Sequence, residues 1–139
     1  MKLEPQLTTQ KVGLVRIYLS HRDKRPKTSW MGRVLARPLY QEIIDRARDA
    51  GLTSATAKGM PYGYTTHATA ESGGHQDRGA VEVHIYVELM APREKLEAFL
   101  VHIAPLIEHR VVLYKDVEHW TMPIVHIDPA TEEPAPGAS

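Results

Sequence analysis

The residues best suited to chemistry are basic residues and glycines around one predicted loop. Lys58 ends a predicted strand, Gly59 and Gly63 flank a short Met-Pro-Tyr turn, and Tyr64 follows. A polar segment, residues 65–79, then returns to a strand at Ala80. A long loop between two strands of a small domain is a usual place for binding residues. No G-x-x-x-x-G-K-S/T sequence is present, so the pattern excludes a P-loop and favours binding and signalling over catalysis.

Basic side chains near the first predicted helix are suited to binding an anion. Arg33 and Arg37 precede or begin that helix, whose N-terminus carries a partial positive charge that favours phosphate. Lys58 at the loop base and Arg78 at its far end would join them across a subunit cleft, and the planar fork of arginine gives phosphate two parallel hydrogen bonds. A solvated charged loop is the commoner meaning of such a run, and the residues alone leave both interpretations open.

Eight histidines raise a metal-binding alternative. Neutral imidazole binds zinc or copper, but no H-x-x-x-H pair or short cluster occurs, which favours dispersed surface histidines. His84, near Tyr86 on a predicted strand, is also of a type suited to general acid–base work. An interface network of Tyr, Glu and His is the preferred interpretation of that strand. The sequence therefore gives no support for an enzyme or for a required cofactor.

The composition limits the classes of function further. The chain has 139 residues, 17 Lys+Arg against 17 Asp+Glu, and no cysteine. The zero formal charge argues against nucleic-acid binding, and the lack of cysteine excludes disulfides, thiol catalysis and zinc–thiolate sites. No apolar run has the length of a signal peptide or a membrane span. We therefore predict a cytoplasmic protein without membrane insertion.

The hydrophobic pattern predicts elements in the order β-α-β-β-α-β. The predicted strands are residues 12–20, 53–58, 80–89 and 111–117; one helix runs from Pro38 to Gly51, and a second begins at Pro92 and is interrupted by Pro105. This order is the α+β ferredoxin-like plan, a four-stranded antiparallel sheet with two helices on one face. We predict an N-terminal tail over residues 1–11, this domain over 12–120, and a partly disordered extension over 121–139.

One face of the predicted sheet requires a partner. The apolar face of the strand from Ala80 is expected to meet the helices. The opposite face is expected to carry Leu14, Tyr18, Glu82, His84, Tyr86, Glu88 and Tyr114. Aromatic and charged residues on one face suit a subunit interface, where tyrosine rings are buried and their hydroxyls stay paired. We therefore expect an oligomer built sheet to sheet.

Three runs of residues resemble a known family. Residues 37–52, RPLYQEIIDRARDAGL, resemble the first helix of the domain-of-unknown-function 190 family. Residues 55–64, ATAKGMPYGY, match that family's run A-T-x-x-(R/K)-G-x-x-G-(F/Y), and residues 94–100, EKLEAFL, fit its second helix. The resemblance covers residues 12–118, and the ordered set of runs carries it.

That family is grouped with the PII-like signalling proteins. The resemblance implies a homotrimer with a flexible T-loop between the second and third strands, here residues 65–79. It also implies inter-subunit clefts for a small anionic effector, an adenine nucleotide above all, and regulation of a transporter or an enzyme through the loop. The predicted ligand-binding residues are then Arg33, Arg37, Lys58, Gly59, Gly63, Tyr64, His67 and Arg78. The alternatives are a metal-binding trimer resembling divalent-cation tolerance proteins and a small dimeric α+β-barrel enzyme.

Overall fold

A computed structural model of the protein describes residues 6–23, 37–66 and 80–124. Its elements, in chain order, are β1 (Thr8–Leu19), α1 (Leu39–Asp49), β2 (Ser54–Gly59), β3 (Tyr64–Thr66), β4 (Ala80–Glu82), β5 (Ile85–Ala91), α2 (Arg93–Ile103), a 3-10 turn (Ala104–Leu106) and β6 (Val112–Thr121). The contacts divide the chain into one compact unit over Lys11–Val117 and another formed by Met1–Gln10 with Glu118–Ser139. No helix in the described ranges has the length and apolarity that a membrane crossing requires.

The main sheet has the strand order β2-β5-β1-β6, so β5 lies between the two strands that α1 connects. β5 is antiparallel to both neighbours, with Val87 opposite Ile17 on β1 and opposite Ala57 on β2. This order with two helical crossovers is the ferredoxin-like arrangement, and the predicted α+β fold class is confirmed. A second, two-stranded sheet pairs β3 with β4. We call this hairpin the ribbon.

The core lies between the sheet and the helices because side chains alternate strictly along the central strands. Val15, Ile17 and Leu19 of β1 are buried, and Val87 and Leu89 of β5 join them. The helices close this layer with a stripe at helical spacing. Its fully or almost fully buried members are Leu39, Ile43 and Ala47 of α1 and Leu96, Phe99 and Ile103 of α2.

The helix ends follow their local sequence. Pro38 and Pro92 occupy the N-cap positions, where a missing N–H costs little. Gly51 follows α1 with φ of 74°, a left-handed conformation that glycine adopts without strain, and its carbonyl accepts a hydrogen bond of 2.8 Å from Lys95 Nζ. α2 ends at Ile103 and a 3-10 turn containing Pro105 follows, as the sequence predicts.

Three expectations about the strands need correction. β1 begins at Thr8, inside the segment predicted to be a tail. The predicted strand 80–89 is divided into β4 and β5, because Val83 N donates to Gly63 O and directs the first part toward β3. Tyr114 lies on the helix side of the sheet, where its ring covers Gly13 beside Leu96. The expectation that Tyr114 shares the opposite face was therefore wrong.

Candidate functional site

A cleft of about 560 Å³ opens where β1 ends and the ribbon begins. One wall is the turn after β1 and the other is β4 with the two residues that follow it. The lining residues are Ser20, His21, Arg22, Asp23, Val81, Glu82 and His84. All of them belong to the unit Lys11–Val117. Val81 and Glu82 also belong to β4 of the ribbon, so the cleft and the ribbon share part of their surface.

His84 is the central residue of this cleft. Its backbone N–H donates to Leu19 O at 3.0 Å, and its carbonyl accepts from Met60 N at 2.7 Å. Its ring stacks on His21 with the ring centroids 4.9 Å apart, and its Nε2 lies 3.9 Å from a carboxylate oxygen of Glu82. Its Nδ1 is buried without a hydrogen-bond partner among the described residues. The backbone at His84 thus joins the end of β1 to the segment that enters the ribbon.

The opposite wall is a tight turn held by Asp23. Ser20 N donates to Asp23 Oδ2 at 2.7 Å, and Asp23 N donates to Ser20 O at 3.0 Å. Arg110 donates to the other carboxylate oxygen of Asp23. Asp23 O also accepts from Leu39 N at 3.0 Å, so the residues at which the chain leaves β1 and enters α1 lie side by side. The turn that presents His21 and Arg22 is therefore tied to two other elements.

The charge of the cleft is mixed. The carboxylate of Asp23 is compensated by Arg110. Arg22 is exposed and forms no ion pair with the described residues, so its guanidinium is available to an anion. Glu82 contributes one negative charge at the ribbon side. Among the residues that the structure describes, the cleft therefore offers one unpaired cation, two imidazoles and the carboxylate of Glu82 to a small polar ligand.

Four of the predicted binding residues gather at the ribbon base. Lys58 and Gly59 end β2 opposite Tyr86 and Ile85, and Tyr64 begins β3 opposite Glu82. Lys58 is exposed and pairs with no carboxylate of the described residues, and Tyr64 is also exposed. Neither Gly59 nor Gly63 has a positive φ, and a Cβ at either would meet atoms at 3.5 Å or beyond. The described backbone by itself does not require glycine at these two positions.

The other predicted residues are placed differently. Arg37 forms an ion pair with Asp45 of α1, a carboxylate that also accepts from Arg48 at 3.1 Å. Its charge is thus directed along the helix surface. Arg33, His67 and Arg78 lie outside the described residues, as do most of the predicted switch residues 65–79.

The face of the sheet away from the helices carries a polar aromatic cluster. Arg16 donates from Nε to Glu88 Oε2 at 2.8 Å, and this bond raises the pKa of the guanidinium above its ordinary value. The guanidinium also lies 5.0 Å from the ring centroid of Tyr86, whose ring is 5.9 Å from that of Tyr18. A shallow hollow of about 200 Å³ adjoins it, lined by Leu14, Arg16, Leu113, Tyr114 and Lys115. Leu14, Tyr18, Tyr86 and Glu88 lie on the main sheet as the sequence predicts, whereas Glu82 belongs to the ribbon and His84 follows it in the cleft.

Sequence reasoning did not identify the turn after β1 as part of a site. The signal was present, because Ser and Asp three residues apart after a strand are typical of a turn closed by side-chain to backbone bonds. The partnership of Asp23 with Arg110 had no such signal, since it joins distant parts of the chain. Within the described ranges, no group of three or more His, Cys, Asp or Glu side chains is placed to hold a metal ion.

Comparisons with known proteins agree with the resemblance seen in the sequence. The model of the DUF190 family, described as "Uncharacterized ACR", matches residues 12–119. A comparison with curated proteins finds no match.

Among solved structures, the chain is similar to apo CPII of Thiomonas intermedia K12, a nitrogen regulatory PII-like protein. The identity is 14%, the match covers 84% of this chain and 99% of CPII, and the TM-score is 0.45. For CPII bound to ADP, AMP and bicarbonate the identity is 17%, the match covers 81% of this chain and 98% of CPII, and the TM-score is 0.45. The chain is also similar to LarC2, the C-terminal domain of a cyclometallase involved in synthesis of the NPN cofactor of lactate racemase, with 11% identity, 81% and 58% coverage and a TM-score of 0.43. Likenesses at this level carry no inference about binding or activity.

Proposed function

The chain belongs to the DUF190 family, and from this premise we propose that it is a PII-like regulatory protein. In this proposal it binds a small anionic effector, an adenine nucleotide, and signals through the segment 65–79 to a transporter or an enzyme. The observation that carries the proposal is the cleft of about 560 Å³ at the ribbon base, because it is next to the segment that would act as the T-loop.

The cleft and the ribbon share residues, which supports the coupling. A ligand that contacts Val81 or Glu82 contacts β4 directly, and β4 is paired residue by residue with β3. A ligand that displaces His84 also acts on Met60, the residue that leaves β2. A ligand shifts a two-state equilibrium only by its differential affinity for the two states. Contacts to β4 that are made in only one of the two states would supply such a difference.

The available cations favour an anionic ligand. Arg22 in the cleft and Lys58 at the ribbon base are both exposed, and neither has an ion-pair partner among the described residues. Charge-assisted hydrogen bonds to phosphate are among the strongest single contacts in proteins. We propose that Lys58, Gly59, Gly63 and Tyr64 form the loop-base part of the site. Arg33, Arg37, His67 and Arg78 would complete it from the adjoining segments.

We further propose that sister subunits cover the open sheet face in a homotrimer and complete the cleft at their seams. On that face the charges of Arg16 and Glu88 are paired with each other, beside the rings of Tyr18 and Tyr86. Such a surface can be buried at lower desolvation cost than one with unpaired charges. Size-exclusion chromatography with light scattering measures the subunit number. A monomer would contradict this part of the proposal, and a dimer would favour the α+β-barrel enzyme instead.

A thermal-shift screen followed by isothermal titration calorimetry tests the effector. ATP, ADP, AMP, cyclic AMP, bicarbonate and divalent metals are compared on untagged protein. A nucleotide that binds the folded state stabilises it by RT ln(1 + [L]/Kd), about 2.7 kcal/mol at a hundredfold excess over Kd. No response to any nucleotide, together with tight uptake of one metal, would overturn the nucleotide proposal in favour of a metal-binding trimer.

The contribution of Lys58 can be measured with a matched variant. Lys58→Ala is expected to weaken nucleotide binding by roughly tenfold to a hundredfold, because a hydrogen bond to a charged group contributes about 1.5–3 kcal/mol. Arg93→Ala removes an exposed cation on α2, a helix that contributes no residue to the cleft, and should leave the affinity unchanged. Equal nucleotide affinities for the two variants would show that Lys58 does not contact the nucleotide.

A further inference from the structure

An ion pair lies behind the wall of the cleft, between Asp23 and Arg110. Only 13% of the Asp23 side chain and 25% of the Arg110 side chain are exposed. The Nε of Arg110 is buried and has no hydrogen-bond partner among the described residues. Charge pairs withdrawn from water in this way are screened less than surface pairs, so their geometry is held more firmly.

Asp23 joins three parts of the chain. Its carboxylate accepts from Ser20 N and from Arg110, and its carbonyl accepts from Leu39 N at the start of α1. These bonds fix both ends of the short turn that carries His21 and Arg22. In the same turn, Arg22 N donates to Ser20 Oγ at 3.3 Å. The position of one wall of the cleft therefore depends on Asp23.

Arg110 is itself placed by a tight turn before β6. Arg110 N donates to Ile107 O at 3.1 Å, and His109 between them has φ of 62°. The next residue, Val111, accepts a hydrogen bond of 3.1 Å from Tyr18 N on β1. Arg110 therefore lies beside the end of β1. Its backbone is held by the turn 107–110 and by the hydrogen bond from Tyr18 N to Val111 O.

We propose that Arg110 is a positioning residue for the effector cleft: through Asp23 it holds His21 and Arg22 in the arrangement that binds the ligand. This inference rests on the proposed function, since it concerns the same cleft. Arg110 does not line the cleft, and its effect passes through the turn. Without it, the ligand itself must order the turn, and that conformational entropy is subtracted from the binding free energy.

The test uses the full chain with ADP as the probe in calorimetry. Arg110→Gln is expected to weaken ADP binding by about tenfold, the equivalent of about 1.4 kcal/mol. Arg110→Lys retains the charge and should recover part of the affinity. Arg93→Gln is the matched control, because it removes an Arg–carboxylate pair on α2, away from the cleft. The ring protons of His21 and His84, followed by NMR, report whether the two imidazoles stay stacked.

The outcomes separate this inference from the proposed function. Weaker ADP binding and shifted His21 and His84 signals in Arg110→Gln, with neither change in Arg93→Gln, would support the positioning role. Equal ADP affinity in Arg110→Gln and wild type would overturn it while leaving the proposed function intact. If the wild type binds none of the screened nucleotides, the proposed function fails, and unchanged histidine signals in Arg110→Gln would then overturn the inference as well. Should Arg110→Gln fail to fold, Arg110→Lys, which keeps a charge beside Asp23 but loses the planar fork of the guanidinium, carries the same test.

Discussion

Gly13 lies beneath the ring of Tyr114, and adding one methyl group there gives a sharp test of the sheet's packing. A Cβ at Gly13 would lie 2.5 Å from Tyr114 Cε2, 2.8 Å from Tyr114 Oη and 2.8 Å from Leu96 Cδ1. Ordinary contact begins at 3.4 Å, so the ring would have to move by 3.4 − 2.5, about 0.9 Å. We expect Gly13→Ala to lower the free energy of unfolding by about 1–3 kcal/mol, the usual cost of overpacking.

The ring of Tyr114 can rotate away from the added methyl group, which limits the destabilisation. Tyr114 is 40% exposed and could turn toward solvent. In doing so it would lose its hydrogen bond of 2.8 Å to Asp116 and its contact with Arg93, whose guanidinium lies 5.0 Å from the ring centroid. Because of these losses, the expected destabilisation stays within the stated range. In a Tyr114→Ala background, Gly13→Ala should lower the free energy of unfolding by less than it does in the wild type.

Urea unfolding followed by circular dichroism measures this effect, and Gly63→Ala is its control. At Gly63 a new Cβ would meet Val83 Cγ2 at 3.5 Å and Val83 O at 3.6 Å, and φ is not positive, so the substitution should be close to neutral. Equal midpoints for Gly13→Ala and Gly63→Ala would refute the placement of Tyr114 over β1. The control also has a use in the binding assay: if the ligand approaches the backbone at Gly63, Gly63→Ala will weaken nucleotide binding at unchanged stability.

Three further predictions concern the interface, the edge of the sheet and the core. Glu88→Arg should reduce the particle mass in light scattering if the open face is a subunit interface, whereas Glu97→Arg on α2 should not. Partial desolvation and the hydrogen bond to Asp116 raise the pKa of Tyr114 above its ordinary value of 10.0. The contribution of Tyr114 to folding stability is therefore constant below that pH and is lost as the pH rises through the folded-state pKa, and Tyr114→Phe should reduce this loss in alkaline unfolding curves. Ile43→Ala, at a fully buried position, should cost about 2–5 kcal/mol in the free energy of unfolding measured in urea.

The fold could be predicted because its signals are local. The alternation Val15, Ile17, Leu19 and the same pattern in β5 fix which face of the sheet is buried, and the prolines at positions 38 and 92 fix where the helices begin. Once the order of elements is known, the rule that crossovers are right-handed leaves few topologies.

The cleft was not predicted from the sequence: none of the predicted ligand-binding residues that the structure describes lines it, because it depends on non-local pairing. Lys58 and Gly63 were identified from a run of adjacent residues, which a sequence displays directly. The stacking of His84 on His21 and the bond from Arg110 to Asp23 depend on the register of β1 against β5 and on the turn before β6. The face of Tyr114 was misjudged for a related reason: a strand exposed on most of its length gives no alternation from which to read its orientation.

The pairing of Thr66 with Ala80 closes the segment between them at a fixed point of the fold. Loop-closure entropy rises slowly with length, by about 0.6 kcal/mol for each doubling. Residues added or removed between Thr66 and Ala80 would therefore change stability little, whereas a single insertion within β5 would move every later side chain of that strand to the wrong face. Changes of length and chemistry between Thr66 and Ala80 can therefore be made without altering the pairing that holds the two ends.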